Sequence, residues 1–273
     1  MIAIASLDDP RVSPYRAVAD PARLEAEGLF VVEGRLVVPR LLALSAQRGR
    51  WCGAAQSVLL SPAAFDQMQD VLARHESVPA YVVPQVVLEG LVGFNMHRGC
   101  LAIARRPTIQ MLTGEAVAAA SRLIVLEGVN NPDNVGGIFR TAAALGADAI
   151  VLGPACADPL YRKSVRTSMG ATLEVPGLHA GEWPGALDLL RTLGWDVVAL
   201  TTDTGALPLA RYEPGQLLRV ALLAGAEGTG LSGPALARAT RLVTIPMTGR
   251  IDSLNVATAV SIALYHVGVS ARP

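Results

Sequence analysis

The chain has 273 residues, of which 51% are hydrophobic and 17% are charged. This composition supplies enough apolar material for two small folded domains and excludes a disordered or low-complexity protein. The 23 basic and 23 acidic residues leave no net charge, so contact with a nucleic acid would have to come from local patches. The three cysteines are scattered, which predicts neither a disulfide framework nor a metal site.

Lys163 is the only lysine among the 23 basic residues. Arginine suits bidentate phosphate recognition and stacking on bases, but a genome-wide codon bias explains the same count. The N-terminus lacks a basic region followed by an apolar stretch. The apolar run 254–269 is too short and too polar for a membrane span. We therefore expect a cytoplasmic protein.

Residues 1–106 read as a small αβ domain. Its strands are predicted at 29–32, 57–60, 81–83 and 100–104. Residues 35–45 have helical spacing, with the apolar positions on one side. Ser61 followed by Pro62 has the form of an N-cap and a first helical position, so a helix should run to about Arg74.

Residues 107–273 form the second predicted domain, after a looser stretch marked by Pro107. Continuous apolar runs predict buried strands at 123–127, 149–152, 197–201, 220–224 and 242–245. Helical segments lie between and after them, at about 135–146, 162–169, 184–194, 232–239 and 255–267. The predicted fold class is α/β, with a mostly parallel sheet flanked by helices. Because ligands bind beyond the carboxyl ends of such strands, the loops after Leu200, Leu223 and Ile245 should converge.

Asn134 and Arg140 lie six residues apart at the start of a predicted helix, after a Pro132–Asp133 turn that could cap it. Gly136 and Gly137 remove side chains where the backbone could meet a substrate phosphate or sugar. An ordinary capped helix with a surface arginine would give the same pattern. The spacing is not G-x-G-x-x-G, which disfavours a nicotinamide-dependent oxidoreductase.

Two further polar segments follow predicted strands. Glu227 lies between Gly225 and Gly228, where the glycines permit close approach of a ligand, although a surface turn has the same composition. After the strand that ends at Ile245, Ser253 is placed to cap an almost wholly apolar helix. Asn255 would then lie in the first turn of that helix, near the ends of the strands.

In this order the motifs resemble the SpoU family of RNA ribose 2′-O-methyltransferases, in the SPOUT superfamily. The matching sequence motifs are Asn134-x-Gly136-x-x-x-Arg140, Gly225-x-Glu227-Gly228, Ile245-Pro246-Met247 and Ser253-Leu254-Asn255-Val256. It covers residues 107–273. The first domain is similar in outline to the family's L30e-like substrate-binding domain, on the segments 30–34 and 97–102.

The resemblance implies a C-terminal trefoil knot, S-adenosylmethionine as cofactor, a homodimer with active sites at its interface, and no metal. The catalytic positions that it implies are Asn134, Arg140, Glu227, Ser253 and Asn255. The expected cofactor-binding positions are Thr201, Gly225, Glu227, Gly228, Ile245, Met247, Ser253, Leu254 and Asn255. As basic residues that could contact phosphates, Arg35, Arg98, Arg140 and Arg166 are the candidates for RNA binding.

The implied reaction is methylation of a ribose 2′-hydroxyl in structured RNA, with ribosomal RNA favoured over transfer RNA. Arg140 would act as the base or orient the hydroxyl, and because arginine is normally always protonated, orientation is the favoured role. Asn134 would hold Arg140 or the ribose, and Glu227 would help to orient Arg140. A base methyltransferase, an antibiotic-resistance methyltransferase and a non-catalytic RNA-binding protein stay open as alternatives.

Overall fold

The chain forms two compact units in a computed structural model. The residues that the structure describes are 1–6, 8–93, 99–214 and 219–270. Unit 1 comprises Met1–Thr108 and Leu160–Leu173, and unit 2 comprises Ile109–Pro159 and Glu174–Pro273. Segment 160–173 therefore interrupts unit 2 in sequence but packs as part of unit 1. Of the described helices, none is long and apolar enough to cross a membrane.

Unit 1 is built around a mixed sheet. Its strands are β1 (Ile2–Ala3), β2 (Leu29–Glu33), β3 (Ala55–Leu60), β4 (Ala80–Val82) and β5 (Cys100–Arg105). Its first helices are α1 (Pro21–Ala26), α2 (Val38–Ser45), α3 (Pro62–Ala73) and α4 (Gln85–Val92), with a 3-10 helix at Pro10–Ala19. The sheet has the order β1-β4-β3-β5-β2, and β5 runs antiparallel to both of its neighbours.

Local sequence signals explain much of unit 1. The hydroxyl of Ser61 accepts a hydrogen bond from Ala64 N at 3.3 Å, and Pro62 begins α3, so the predicted cap is confirmed. The predicted strands are confirmed as well, within one or two residues at their ends. Helix α2 begins at Val38 rather than at Arg35, because Gly34 O accepts from the amides of Val37 and Val38 in a preceding turn.

Unit 2 carries a larger sheet. Its strands are β6 (Gln110–Met111), β7 (Arg122–Glu127), β8 (Ala149–Leu152), β9 (Gly177–His179), β10 (Asp196–Leu200), β11 (Leu207–Pro208), β12 (Val220–Gly225) and β13 (Arg241–Thr244). The remaining helices are α5 (Pro132–Leu145), α6 (Arg162–Thr167), α7 (Ala171–Glu174), α8 (Gly185–Thr192), α9 (Gly233–Leu236) and α10 (Val256–Ser270). Of these, α6 and all but the last residue of α7 belong to unit 1. A 3-10 helix covers Leu209–Arg211.

The strand order is β11-β13-β10-β12-β7-β8-β9-β6, and every strand pairing in the described part of unit 2 is parallel. The inner strands β7, β8, β10 and β12 are buried along nearly their whole length, as their continuous apolar runs predict. The α/β prediction is thus confirmed. Strands β6, β9 and β11 were not predicted, because two or three residues are too few for a recognisable pattern.

This topology places the polar loops at one edge. Strand β10 lies between β12 and β13, and all three are parallel, so their carboxyl ends at Leu200, Gly225 and Thr244 lie side by side. The predicted convergence of the loops that follow these strands is therefore confirmed. Parallel α/β sheets bind their ligands at this edge.

Candidate active site

Helix α5 starts immediately beyond β7, and its first turn contains Asn134. The helix is capped by Asn131, whose side-chain oxygen accepts from Asp133 N at 2.9 Å, with Pro132 in the first turn. The cap is therefore Asn131, and the prediction that Pro132–Asp133 provides it is wrong. Asn134 is only 6% exposed, so its amide must find a partner inside the protein.

Close packing of α5 against α10 fixes the distance between the two helices. A Cβ at Gly137 would lie 3.2 Å from the Cβ of Ala257, closer than ordinary van der Waals contact, so the absence of a side chain suits this approach. The hydroxyls of Thr141 and Ser261 meet at 2.7 Å further along the same contact. Gly137 is thus explained by the contact between helices, whereas the sequence suggested approach of a substrate.

Asn255 caps α10. Its Oδ1 accepts from Ala257 N at 3.0 Å and from Thr258 N at 3.2 Å, and the helix begins at the next residue, Val256. Ser253 is exposed and lies outside the helix, so the prediction that it caps α10 is wrong. Asn255 is likewise not in the first turn, because it is the cap itself.

Asn255 also joins the three polar motifs. Its Nδ2 donates to Asn134 Oδ1 and to Glu227 Oε1, each at 2.8 Å. Both amide hydrogens are thereby used, while Oδ1 is used by the helix cap. The start of α5, the turn after β12 and the start of α10 are therefore connected through one side chain. We refer to Asn134, Glu227 and Asn255 as the amide–carboxylate cluster.

Arg140 lies apart from this cluster. It is exposed on α5, six residues beyond Asn134 and hence about 9 Å further along the helix. Within the described residues its guanidinium makes no hydrogen bond or ion pair. The structure therefore does not contain the expected contacts of Asn134 and Glu227 with Arg140, because both are bound by Asn255 instead. Its five donors are available to a substrate.

The glycine-rich turn after β12 closes tightly. A Cβ on Gly225 would lie 2.5 Å from both Gly230 O and Leu231 N, so the returning chain leaves no room for a side chain. Gly230 N donates to Ala226 O at 3.0 Å. Glu227 is held at the exposed tip of this turn. We refer to residues 225–231 as the glycine turn.

The loop after β13 is more open. Ile245, Met247 and Leu254 are half-buried, and most residues between them are exposed. Thr201 directly follows the neighbouring strand β10, and its amide donates to Val243 O at 3.0 Å. These residues and the glycine turn thus occupy the same edge of the sheet. We refer to residues 245–254 as the C-terminal loop.

Comparison with known proteins identifies the family. The model of the SpoU rRNA Methylase family matches residues 121–265. An uncharacterized tRNA/rRNA methyltransferase of Mycobacterium bovis is 40% identical over 94% of this chain and 88% of its own length. The chain belongs to the SpoU rRNA methylase family. It is accordingly an S-adenosylmethionine-dependent methyltransferase.

Two more proteins resemble this SpoU chain. A 23S rRNA guanosine 2′-O-methyltransferase of Bacillus subtilis is 33% identical over 56% of the chain and 60% of its own length. The structure of an rRNA methyltransferase from Sinorhizobium meliloti with bound AdoMet superposes with a TM-score of 0.79, at 24% identity over 99% of this chain and 98% of that one. The latter likeness establishes the fold.

The residues at the sheet edge of this SpoU chain fit S-adenosylmethionine. A Cβ at Gly228 or Gly230 would meet nothing within 4 Å, so the backbone of the glycine turn is open to a ligand. Half-buried Ile245 and Leu254 offer apolar surface of the kind that an adenine ring contacts. The carboxylate of Glu227 supplies negative charge to a site for a cofactor with a positively charged sulfur.

Glu127 is a buried acid at the end of β7 that the sequence did not single out. Its carboxylate accepts hydrogen bonds from Trp183 and Ser232, two residues that follow it by 56 and 105 positions. Cys156 lies nearby and donates to Leu126 O at 3.4 Å. Burial raises the pKa of the Cys156 thiol, so it stays protonated at neutral pH and does not supply a thiolate nucleophile.

The arginines expected to contact RNA are spread over the chain. Arg35 is exposed and Arg166 is half-buried, and both belong to unit 1. The carboxylate of Glu33, which is 8% exposed, lies 2.9 Å from Arg162 and 3.7 Å from Arg166. Arg98 lies outside the described residues. Within the part of the chain that is described, no group of three or more His, Cys, Asp or Glu side chains could hold a metal ion.

Proposed function

We propose that this chain transfers a methyl group to a ribose 2′-hydroxyl of structured ribosomal RNA. The observation that carries the proposal is the amide–carboxylate cluster at the edge of the sheet, with the open guanidinium of Arg140 on the same helix as Asn134. The name of the 33% identical relative, a 23S rRNA guanosine 2′-O-methyltransferase, supports the choice of ribose and of ribosomal RNA.

The glycine turn and the C-terminal loop would hold S-adenosylmethionine. When bound, the cofactor supplies an electrophilic methyl group on a positively charged sulfur. The proposed binding residues are Thr201, Gly225, Glu227, Gly228, Ile245, Met247, Ser253, Leu254 and Asn255. Their contribution is to fix the methyl group at the edge of the sheet and to keep the reacting atoms close, since proximity alone lowers the barrier substantially.

Arg140 would act on the acceptor. A guanidinium has five hydrogen-bond donors and no acceptor, so it would donate hydrogen bonds to the 2′-oxygen or to a neighbouring phosphate and orient the hydroxyl. Held in this way, the 2′-oxygen would face the methyl group that the bound cofactor would supply, and the hydroxyl proton would pass to water.

The amide–carboxylate cluster would keep the cofactor-binding and acceptor-binding parts of the site in a fixed relative position. Asn255 holds both Asn134, on the helix that carries Arg140, and Glu227, on the glycine turn. A shift of either motif would break one of two hydrogen bonds of 2.8 Å. We assign Asn134, Glu227 and Asn255 to positioning within the site, and Ser253 to the exposed approach to α10.

A second copy of this chain would cover part of unit 2. Ile262 and Tyr265 on α10 are 39% and 62% exposed, and because they are three residues apart they lie on the same face of the helix. They border a groove of about 360 Å³ that is otherwise lined by Leu209, Ala210, Ile245, Pro246 and His266. Ile245 is also a proposed cofactor residue, so a dimer formed here would place the active sites at its interface.

Residues 1–106 would bind the RNA substrate, and residues 107–273 would form the methyltransferase domain. Arg35 and Arg166 are candidates for phosphate contacts in unit 1, together with Arg98 and, near the reaction, Arg140. Contacts of this kind position RNA without reading its sequence. We place the reaction in the cytoplasm, where the RNA-modifying relatives would act.

Transfer of labelled methyl to RNA tests this function. The purified chain is incubated with labelled S-adenosylmethionine and unmodified total RNA, which is then separated into ribosomal and transfer fractions. We expect label in ribosomal RNA at one site that resists alkaline cleavage, since a 2′-O-methyl group removes the attacking hydroxyl. Label in transfer RNA alone would overturn the assignment of ribosomal RNA as the substrate. Absence of label and of cofactor binding would favour the non-catalytic RNA-binding protein.

A further inference from the structure

Glu127 ends β7 directly beside the glycine turn. In the parallel register of β7 and β12 it is paired with Gly225, the first residue of that turn. Its side chain is buried, with the residue only 8% exposed. A carboxylate in such a place is costly unless hydrogen bonds compensate for the lost water. The hydrogen-bond partners of Glu127 therefore indicate the role of this residue.

Three donors converge on this carboxylate. Oε1 accepts from Trp183 Nε1 at 2.6 Å and from the Ser232 hydroxyl at 2.7 Å, and Oε2 accepts from Ser232 N at 2.8 Å. All three distances lie within or below the usual range for hydrogen bonds of their kind. Ser232 is therefore fixed through both its backbone and its side chain.

The position of Ser232 determines where the glycine turn closes. The two preceding residues, Gly230 and Leu231, pass over Gly225 so closely that no Cβ fits there. On its other side, the Ser232 hydroxyl accepts from Ala235 N at 3.3 Å and caps α9. Glu127 thus secures the end of the turn, while β12 secures its beginning.

Trp183, in the segment between β9 and α8, provides support from beside the end of β8. Its ring packs where a Cβ on Gly153 would be 3.2 and 3.3 Å from two ring carbons, and Gly153 immediately follows β8. The ring thus occupies the space that a side chain at Gly153 would need, and its N–H donates to Glu127. One carboxylate consequently connects the ends of β7 and β12 with a side chain that packs beside the end of β8.

We infer that Glu127 is a positioning residue for the cofactor, which acts by locking Ser232 and so presetting the glycine turn before S-adenosylmethionine binds. The inference rests on the proposed function for the assignment of this turn to the cofactor. Glu127 itself touches neither reactant. Its effect should therefore be on cofactor affinity, through Glu227 and the open backbone at Gly228, more than on the chemical step.

Glu127→Gln tests the inference with little change in volume. A glutamine has one acceptor oxygen and turns an NH₂ group toward the donors, so the three hydrogen bonds cannot all be kept. The matched control is Glu182→Gln, the same change at an exposed acid beside Trp183. Trp183→Phe removes the N–H together with part of the ring, while Glu127 and its two hydrogen bonds to Ser232 remain. It provides a second variant should Glu127→Gln fail to fold.

The measurements are calorimetric titration with S-adenosylmethionine, thermal melting, and steady-state methyl transfer to ribosomal RNA. For Glu127→Gln we expect Kd and KM for the cofactor to rise about tenfold, with kcat at saturating cofactor within about threefold of wild type. Trp183→Phe should raise Kd by about threefold. Glu182→Gln should bind like wild type.

The outcomes separate this inference from the proposed function. If Glu127→Gln and Trp183→Phe melt at lower temperature but bind the cofactor within twofold of wild type, Glu127 has only a structural role and the inference is wrong. A fall in kcat with unchanged KM would also overturn it. If wild type itself neither binds S-adenosylmethionine nor methylates RNA, the proposed function fails, and the inference fails with it.

Discussion

The two segments assigned to the cofactor differ in how the chain holds them. The glycine turn, 225–231, is closed by backbone contact at Gly225 and secured at Ser232 by buried Glu127. The C-terminal loop, 245–254, makes no hydrogen bond within the described part of the chain, and most of its residues are exposed. One segment is thus held by contacts within the chain, whereas we expect the other to become ordered when a ligand binds.

This difference assigns separate tasks to the two segments. A preset turn costs little conformational entropy on binding, so it contributes to affinity from the start. A loop that becomes ordered with the ligand can exclude water from the reaction only in the complex. Arg140 belongs to neither segment, and its exposed side chain remains available for the acceptor. The predictions below test each of these tasks.

The largest effect is expected for Arg140→Ala. Methyl transfer should fall at least about 100-fold at saturating RNA, because the group that orients the acceptor is lost. The Kd for S-adenosylmethionine should be unchanged, since Arg140 contacts neither cofactor segment. The control is Arg191→Ala, which removes another exposed arginine of unit 2. Near-normal turnover of Arg140→Ala would refute the assignment of Arg140.

Gly225→Ala should break the preset turn. The added methyl group would overlap the backbone at Gly230 and Leu231, so the turn must shift, at a cost of about 1–3 kcal/mol in the free energy of unfolding. Cofactor affinity should fall about 30-fold. Gly233→Ala is the matched control, because a Cβ there meets nothing within 4 Å. Calorimetry and urea unfolding measure both quantities, and equal behaviour of the two variants would contradict the account.

Asn255→Asp separates the cap of α10 from the amide–carboxylate cluster. Aspartate keeps the oxygen that accepts from Ala257 N and Thr258 N, so helix stability should be retained. It replaces the donor toward Asn134 and Glu227 with a second carboxylate, and methyl transfer should fall about tenfold. Asn255→Ala should lose in addition about 1 kcal/mol of unfolding free energy. Retained activity in Asn255→Asp would show that the cluster is not needed.

The smallest effect concerns amide hydrogen exchange on addition of S-adenosylmethionine. Exchange in the C-terminal loop should slow about fivefold or more, because the ligand supplies contacts that this loop lacks. Exchange in the glycine turn should change less, since its order does not depend on the ligand. Peptides that cover 226–231 and 247–254 are compared by mass spectrometry. If exchange slowed more in the glycine turn than in the C-terminal loop, the proposed difference between the two segments would be contradicted.

The sequence predicts the architecture of unit 2 because its inner strands are continuous apolar runs with polar loops at their carboxyl ends. It does not predict which side chain caps α10. Serine and asparagine cap helices about equally well, and Ser253 and Asn255 lie only two residues apart. The choice is made by Asn134 and Glu227, which bind the amide of Asn255 from distant parts of the chain.

Other features escape sequence reasoning because their causes are tertiary. In a sequence, a glycine that makes room for a ligand cannot be distinguished from one that lets another helix pack closely. The contact of Gly137 with Ala257 could therefore not be predicted. A single acid at a strand end carries no signal that Trp183 and Ser232 will meet it, as they do at Glu127. These contacts depend on the strand order, which local patterns do not encode.

Nucleoside mass spectrometry of ribosomal RNA treated with wild type and with Arg140→Ala tests the central claim most directly. The RNA is unmodified at the start, and the methyl group is isotopically labelled so that its position on the base or the ribose can be read. We predict one labelled 2′-O-methyl nucleoside with wild type and none above background with Arg140→Ala. A label on a base, or equal ribose labelling by the two proteins, would contradict the account.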